Sequence, residues 1–214
     1  MISDTLQHKG QRRLLVTHLA KNYPFDPQVL NAMEKVPRHL FIEQGLERLA
    51  YLDRPLPIGF GQTISQPYTV AMQTHLLALS KWDRVLEIGT GCGYQTAILL
   101  ELGLTVFSIE RQKKLYLLAQ KNLYALGYNS AQLHYGDGFE GLPQFAPFKG
   151  ILITCGIPQI PQSRLRQLAI GGRMVVPVGT EVQTMTVVEH THEQTFKEQT
   201  FGAYSFVPML HGTR

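Results

Sequence analysis

The residues best suited to chemistry lie in a glycine-rich segment near the middle of the chain. Gly89, Gly91 and Gly93 follow residues 85–88 (VLEI), which are predicted to form a strand. Glycine reaches positive φ without steric cost and lets the backbone approach a ligand closely. Glu110 follows about 20 residues later, after a second predicted strand, where a carboxylate can accept hydrogen bonds from ribose hydroxyls. The spacing therefore predicts a site for a cofactor that carries an adenosine, whereas a turn without any ligand is the simpler alternative.

Tyr94 narrows the choice of cofactor. The dinucleotide fingerprint G-x-G-x-x-G has its third glycine at this position, where it allows close helix packing beside a pyrophosphate. Glu87 before the turn instead fits the E-x-G-x-G-x-G pattern of enzymes that use S-adenosyl-L-methionine (AdoMet). AdoMet carries no phosphate and needs no pyrophosphate cradle. We therefore predict AdoMet, with S-adenosyl-L-homocysteine as its product, in preference to the nicotinamide dinucleotide of an oxidoreductase.

Strands and helices alternate from residue 84 onward. Strands are predicted at 84–88, 105–109, 131–135, 150–154, 173–178, 184–189 and 196–207. Helices are predicted at 94–102, 111–126 and 161–169. This order predicts an α/β fold, a Rossmann-like, doubly wound, seven-stranded and mostly parallel sheet with helices on both faces. Ligands bind such sheets at the carboxyl ends of the strands, where Gly89, Glu110 and Asp137 would converge.

The first 80 residues are predicted to form an N-terminal helical extension. Asp26 and Pro27 indicate the start of a helix that Pro37 ends. Further helices are predicted at 41–49 and 67–79. Between them, residues 51–68 hold three prolines and two glycines without a helical or strand period, which is typical of a functional loop.

A chain of 214 residues fits one domain, 1–214, in which 1–80 form the helical and substrate-loop region and 81–214 the Rossmann-like core. The net charge of +4 is scattered and lacks interleaved aromatic residues, so we predict no nucleic-acid partner. No apolar run approaches the roughly 20 residues of a membrane span. We predict no membrane partner. Because no signal-peptide core is visible, we predict a cytoplasmic location. We also predict a monomer.

Metal chemistry is not indicated by the sequence. Cys92 and Cys155 are too few for a disulfide framework or a cysteine-based metal site. The eight histidines show no ligand spacing such as H-E-x-x-H. We therefore predict no metal.

The chain resembles the protein-L-isoaspartate O-methyltransferase family from about residue 30 to its last residue. The most specific segment is 61–67 (GQTISQP), since glycine turns are common to many methyltransferases. Other matching segments are 36–41, 56–60, 85–97, 108–111, 136–138, 146–148, 167–168, 171–173, 176–179 and 206–208. The chain departs from the family at Lys149, where an aspartate is usual, and at Ser205, where an arginine is usual.

The resemblance implies methyl transfer from AdoMet to the α-carboxylate of L-isoaspartyl residues in damaged peptides and proteins, which begins their repair through a succinimide. It implies Ser65 as the active-site residue, Glu110 at the ribose, and Asp137 with Gly138 near the adenine. The predicted cofactor-binding residues are Glu87, Gly89, Thr90, Gly91, Gly93, Glu110, Arg111, Asp137 and Gly138. The predicted substrate-binding residues are Ile64, Gln66 and Val207, with Asp53, Ile58, Gln62 and Thr63 as weaker candidates.

Ser65 is better suited to orient a carboxylate than to act as a nucleophile. A carboxylate is already ionised at neutral pH and needs no general base, so alignment is the main requirement. A hydroxyl at a helix start can donate to this anion, where the helix dipole also favours it. No G-x-S-x-G elbow surrounds Ser65. The alternative is that Ser65 is only a helix cap.

Two further functions compete with this interpretation. A methyltransferase acting on RNA or a small molecule shares the cofactor, but the [N/D]-P-P-[Y/F] motif of many base-modifying enzymes is replaced by residues 154–158 (TCGIP). A catalytically silent AdoMet-binding module is left open by the departures at Lys149 and Ser205.

Overall fold

The N-terminal region contains three helices and a two-stranded hairpin in the computed structural model, which describes residues 3–214. Their bounds are α1 Leu6–Asn22, α2 Pro27–Lys35, β1 Leu56–Pro57, β2 Thr63–Ile64 and α3 Pro67–Leu77. The predicted helix at 41–49 is wrong. Short 3-10 turns form instead at Arg38–Leu40 and Glu47–Leu49, because Gly45 lies between them with a φ of 91°.

The rest of the chain alternates strands and helices before ending in a pair of long strands. The bounds are β3 Arg84–Ile88, α4 Tyr94–Glu101, β4 Thr105–Glu110, α5 Lys113–Ala125, β5 Gln132–Tyr135, β6 Phe148–Ile153, α6 Gln162–Leu165, β7 Leu168–Val178, β8 Gln183–His192 and β9 Thr195–Tyr204. One seven-stranded sheet forms in the order β5-β4-β3-β6-β7-β8-β9. Strands β3 to β7 pair in parallel, whereas β8 pairs antiparallel with both β7 and β9. The predicted fold class is confirmed.

The boundary between α6 and β7 differs from the prediction. The helix expected at 161–169 is only four residues long, and β7 begins at Leu168. Leu168 pairs with Phe148 of β6, and the register then shifts before Gly150 pairs with Arg173. Strand pairing across the sheet therefore overrides the local helical pattern, as tertiary context commonly does.

Both faces of the sheet are buried by helices, as the alternation of side chains along the central strands shows. Val85, Leu152 and Val175 belong to the cluster with Leu77 of α3. Their strand neighbours Leu86, Ile151 and Met174 pack on the opposite face, in the cluster with Leu165 of α6. Burial on both faces explains why these strands are continuous apolar runs.

The N-terminal helices share an apolar cluster with the sheet-covering helices. Leu19 of α1, Met33 of α2, Ile98 of α4 and Leu115 of α5 are all buried in it. Among the described helices, none is both long enough and apolar enough to cross a membrane. The cytoplasmic location stays a prediction.

A buried polar group anchors α1. The guanidinium of Arg12 donates to the two carboxylate oxygens of Asp4 at 3.1 and 3.0 Å and to the hydroxyl of Tyr51 at 3.0 Å. That hydroxyl lies 2.7 Å from Nδ1 of His39, whose ring stacks on His8. Ligand atoms of Asp4, His8 and His39 lie within 4.8 Å of one another, a grouping that sequence spacing did not indicate. Because both Asp4 oxygens already accept from Arg12, we assign the group to anchoring the helix.

Candidate functional site

The glycine turn follows β3 and requires glycine for two reasons. Gly89, Gly91 and Gly93 have φ values of 97°, 57° and 91°, which side chains disfavour. A Cβ at Gly89 would also overlap Oγ1 of Thr154. Thr154 follows β6, and its hydroxyl lies within hydrogen-bonding distance of the carbonyls of Ile88 and Gly89, at 3.0 and 2.8 Å. The turn is therefore held against the end of β6.

Glu110, at the end of β4, ties the same turn to the neighbouring strand. Its carboxylate accepts the N–H of Gly91 at 3.0 Å and the N–H of Gln112 at 2.8 Å. The side chain lines the cavity beside the turn and is 6% exposed. Backbone donors thus fix the carboxylate in one orientation, while its remaining lone pairs are available to a ligand.

Glu87 lies beneath the turn and does not line the cavity. Its Oε2 accepts hydrogen bonds from the hydroxyls of Thr96 and Ser108, and Thr90 bonds to Ser108 at 2.6 Å. Burial raises the pKa of Glu87 to about 7, and the charge of Glu110 adds to the rise. The hydroxyl chain connects Glu87 to Thr90 in the turn, so Glu87 supports the turn from within the sheet.

Gly93 also lies away from the cavity. It is the N-cap residue of α4, and a Cβ there would meet Leu123 of α5 at 3.1 Å. Its glycine is therefore explained by helix packing. Gly138 by contrast lines the cavity, where a Cβ would approach Ile88 and Met209.

Arg111 and Asp137 contact the C-terminal segment. The guanidinium of Arg111 donates to the carbonyls of Gly212 and His211 at 2.9 and 3.2 Å. The carboxylate of Asp137 accepts the N–H of Phe139 at 2.7 Å and that of Gly212 at 2.6 Å. Arg111 borders the cavity, and the residues that line it do not include Asp137.

Three neighbouring spaces share lining residues at this end of the sheet. The glycine-turn cavity is bounded by Gly89, Gly91, Glu110, Gly138 and Val207. The outer groove is bounded by Tyr23, Ser65, Gln66, Tyr204 and Val207. The inner recess is bounded by Ile64, Ser65, Gly89 and Thr90.

Thr63 and Thr154 stand where the three spaces meet, since both border all of them. Thr63 was only a weaker candidate in the sequence, and Thr154 was missed. The available signal was its place directly after a buried strand, because the carboxyl ends of parallel strands face the ligand. Two hydroxyls therefore mark the passage from the glycine-turn cavity to the outer groove.

The start of α3 is capped by a residue other than Ser65. The N-cap is Gln66, whose side chain makes no cap hydrogen bond. Asp53 instead accepts the N–H of Tyr68 at 2.7 Å and the side-chain amide of Gln66 at 3.0 Å. The alternative of Ser65 as a helix cap is wrong, because a distant carboxylate takes that role. Asp53, a weaker candidate for substrate contact in the sequence, is therefore a capping residue.

Comparison with known proteins places the chain in a family. Residues 10–214 match the model of "Protein-L-isoaspartate(D-aspartate) O-methyltransferase (PCMT)". The chain is 48% identical to the protein-L-isoaspartate O-methyltransferase of Christiangramia forsetii, over 98% of each chain. It is 45% identical to that of Methylobacillus flagellatus, over 94% of this chain and 92% of the relative.

Solved structures agree on the fold. A protein-L-isoaspartate O-methyltransferase superposes with a TM-score of 0.85 at 28% identity, covering 92% of this chain and 65% of the other. A Plasmodium falciparum structure assigned to the same activity, determined with S-adenosyl-L-homocysteine, gives 0.81 at 20% identity and covers 93% and 98%. At 20% identity the likeness establishes the fold alone. The family match and the relatives' identity over nearly their full length show that this chain belongs to the protein-L-isoaspartate(D-aspartate) O-methyltransferase family.

Proposed function

We propose that this protein transfers the methyl group of AdoMet to the α-carboxylate of L-isoaspartyl residues in peptides and proteins. The observation that carries the proposal is the meeting of two spaces at Thr63 and Thr154. One space has the glycine turn and Glu110, which suit an adenosine cofactor. The other has Ser65 just before α3, which suits an anion.

In the glycine-turn cavity, Glu110 is the proposed partner of the ribose hydroxyls. Gly89 and Gly91 let the backbone approach the methionine part, and Gly138 leaves room at the adenine. The turn is supported by three residues that do not line the glycine-turn cavity, namely Thr90, Glu87 and Gly93. When bound, AdoMet supplies a methyl group on a positively charged sulfur, which a carboxylate oxygen can attack.

The residues of the outer groove orient the acceptor. The α-carboxylate is ionised at neutral pH, so no residue needs to remove a proton. The Ser65 hydroxyl is free to donate to it, since Asp53 caps α3. The start of α3 adds the positive end of the helix dipole. The proposed substrate site is completed by Gln66 and Val207, which border the outer groove, and by Ile64, which borders the inner recess.

The methyl ester product explains the repair. An ester carbonyl is a better electrophile than a carboxylate, so the next backbone nitrogen closes on it, methanol leaves and a succinimide forms. Hydrolysis then opens the succinimide partly to normal aspartate. This sequence of steps happens away from the enzyme and needs none of its residues.

The outer groove favours a peptide over RNA. Its volume is about 630 Å³, and the described residues that line it include no Lys or Arg. Binding to nucleic acid depends strongly on cations that neutralise phosphates. Ser205, where the family usually has an arginine, borders this groove and adds no cation to it. Lys149 lies near the amino end of β6 and borders none of the three spaces.

The proposal is tested by methyl transfer from labelled AdoMet to an isoaspartyl peptide and to its aspartyl twin. We expect label only in the isoaspartyl peptide. Equal labelling of the two, or none, contradicts the proposal. In the same assay, Ser65→Ala should lower turnover. Ser163→Ala, in the short helix α6, is its matched control, because Ser163 is exposed and borders none of the three spaces. The monomeric state and the absence of a metal stay predictions.

A further inference from the structure

We infer that Arg111 and Asp137 are positioning residues that hold the C-terminal strap, residues 207–214, as a wall of the cofactor site. The inference rests on the proposed function, because it assigns the glycine-turn cavity to AdoMet. It differs from the direct cofactor contact expected of both residues from the sequence. Val207 to Leu210 line the cavity, so the strap forms one of its walls.

The first half of the strap is tied to the end of β6. The N–H of Gly156 donates to the carbonyl of Val207 at 2.9 Å, and the N–H of Met209 donates to the carbonyl of Gly156 at 2.8 Å. Met209 is also the buried anchor of the strap, and a Cβ at Gly138 would lie 2.8 Å from its Cε. This half is therefore fixed by backbone pairing and one apolar contact.

The second half has no such apolar anchor. Leu210 is 48% exposed, and the four residues after it are exposed as well. Burial of apolar surface, the usual source of attachment, is small here. Polar contacts must therefore hold these residues against the sheet.

Those contacts come from Arg111 and Asp137. Arg111 donates to two strap carbonyls, those of His211 and Gly212, while Asp137 accepts the N–H of Gly212. Hydrogen bonds to charged groups are stronger than neutral ones. The ring of His211 stacks on Phe139 at 3.8 Å, beside Asp137. The strap is thus held by one residue just after β4, Arg111, and by one just after β5, Asp137.

Backbone pairing completes the attachment. The N–H of Arg214 donates to the carbonyl of Arg111 at 2.8 Å, and the N–H of Lys113 donates to the oxygen of Arg214 at 2.7 Å. The guanidinium of Arg111 and both carboxylate oxygens of Asp137 are therefore engaged by protein groups. Releasing them would free Leu210, the part of the cavity wall that lies in the second half of the strap, and speed the escape of the cofactor.

The test is calorimetric and kinetic binding of S-adenosyl-L-homocysteine to the purified full chain and to a chain shortened by residues 211–214. In the full chain, Arg111→Met should weaken binding about tenfold, mainly through faster dissociation. In the shortened chain, the same substitution should change affinity less than about twofold, because its partners are already gone. Arg173→Met, which removes a partly exposed ion pair with Glu189, is the matched control. It should leave the affinity for S-adenosyl-L-homocysteine unchanged in both the full and the shortened chain.

Hydrogen exchange supplies a second readout. Arg111→Met and Asp137→Asn should speed exchange of the Gly212 and Arg214 amides while the melting temperature stays close to that of the parent chain. An equal loss of affinity from Arg111→Met in both chains would mean direct cofactor contact and overturn the inference, as would no loss in either. If the parent chain does not bind S-adenosyl-L-homocysteine at all, the proposed function fails instead.

Discussion

The carboxylate of Asp53 caps helix α3 by accepting the N–H of Tyr68 at 2.7 Å. The two residues are far apart in sequence, and the contact crosses the hairpin of β1 and β2. The cap satisfies one of the unpaired N–H groups at the helix start. It also leaves the preceding Ser65 hydroxyl without a structural task, which is the condition for that hydroxyl to serve a substrate.

Asp53→Ala and Ser65→Ala should therefore separate stability from catalysis. Loss of the Asp53 cap should lower the free energy of unfolding by about 0.5–2 kcal/mol. Ser65→Ala should change it by less than about 0.5 kcal/mol yet reduce turnover about 10- to 100-fold by loss of alignment. Denaturant unfolding and steady-state methyl transfer measure the two effects. A Ser65→Ala variant that unfolds as easily as Asp53→Ala would mean that the serine is structural.

Gly89→Ala should abolish binding of S-adenosyl-L-homocysteine. The alanine would have to adopt a φ of 97°, and its Cβ would overlap Oγ1 of Thr154, so the turn must move. Strain of this kind costs about 1–3 kcal/mol. Gly10→Ala is the matched control, because Gly10 lies in α1 with open space around it and should gain about 0.5–1 kcal/mol of stability. Normal ligand affinity in Gly89→Ala would contradict the assignment of the turn.

Glu87 should make the protein less stable as the pH rises from about 4.5 to about 7. Burial raises its folded-state pKa from 4.5 to about 7, so the folded state binds more protons than the unfolded state in this range. Glu87→Gln removes the effect. The free energy of unfolding of Glu87→Gln, relative to that of the parent chain, should rise by about 1–3 kcal/mol between pH 4.5 and pH 7. Above pH 7 this difference should stay constant. A difference that does not vary with pH in denaturant titrations would argue against the raised pKa.

His39 should act with the opposite sign. Burial first, and then the charge of His8, lowers its pKa from 6.5 to about 4. Below pH 6.5 the unfolded state takes up a proton that the folded state refuses, so stability is lost as the pH falls toward 4. His39→Gln should show a weaker loss in thermal melts over this range. An identical acid dependence in the two proteins would place the effect elsewhere.

The sheet was predictable because its strands carry a signal that long-range contacts do not change. Strands buried on both faces are largely apolar. Gly89 and Gly91 supply the positive φ values of the turn that follows the first of these strands. The end of α6 was not predictable, since Leu168 joins a strand only when Phe148 is beside it. Local pattern therefore decided the order of elements, and pairing decided one of their boundaries.

The fold class, the glycine turn and the family resemblance could be predicted from the sequence, since each depends on patterns of residues that are close together in the chain. The contacts of Asp53, Glu87, Arg111 and Asp137 could not, and they are known only from the folded chain. Each of these charged side chains bonds to groups that lie distant in sequence or face away from the cavity. The hydrogen-bond partners of a carboxylate or guanidinium are set by the groups that folding brings within reach. A sequence motif identifies the charged residue but not these partners.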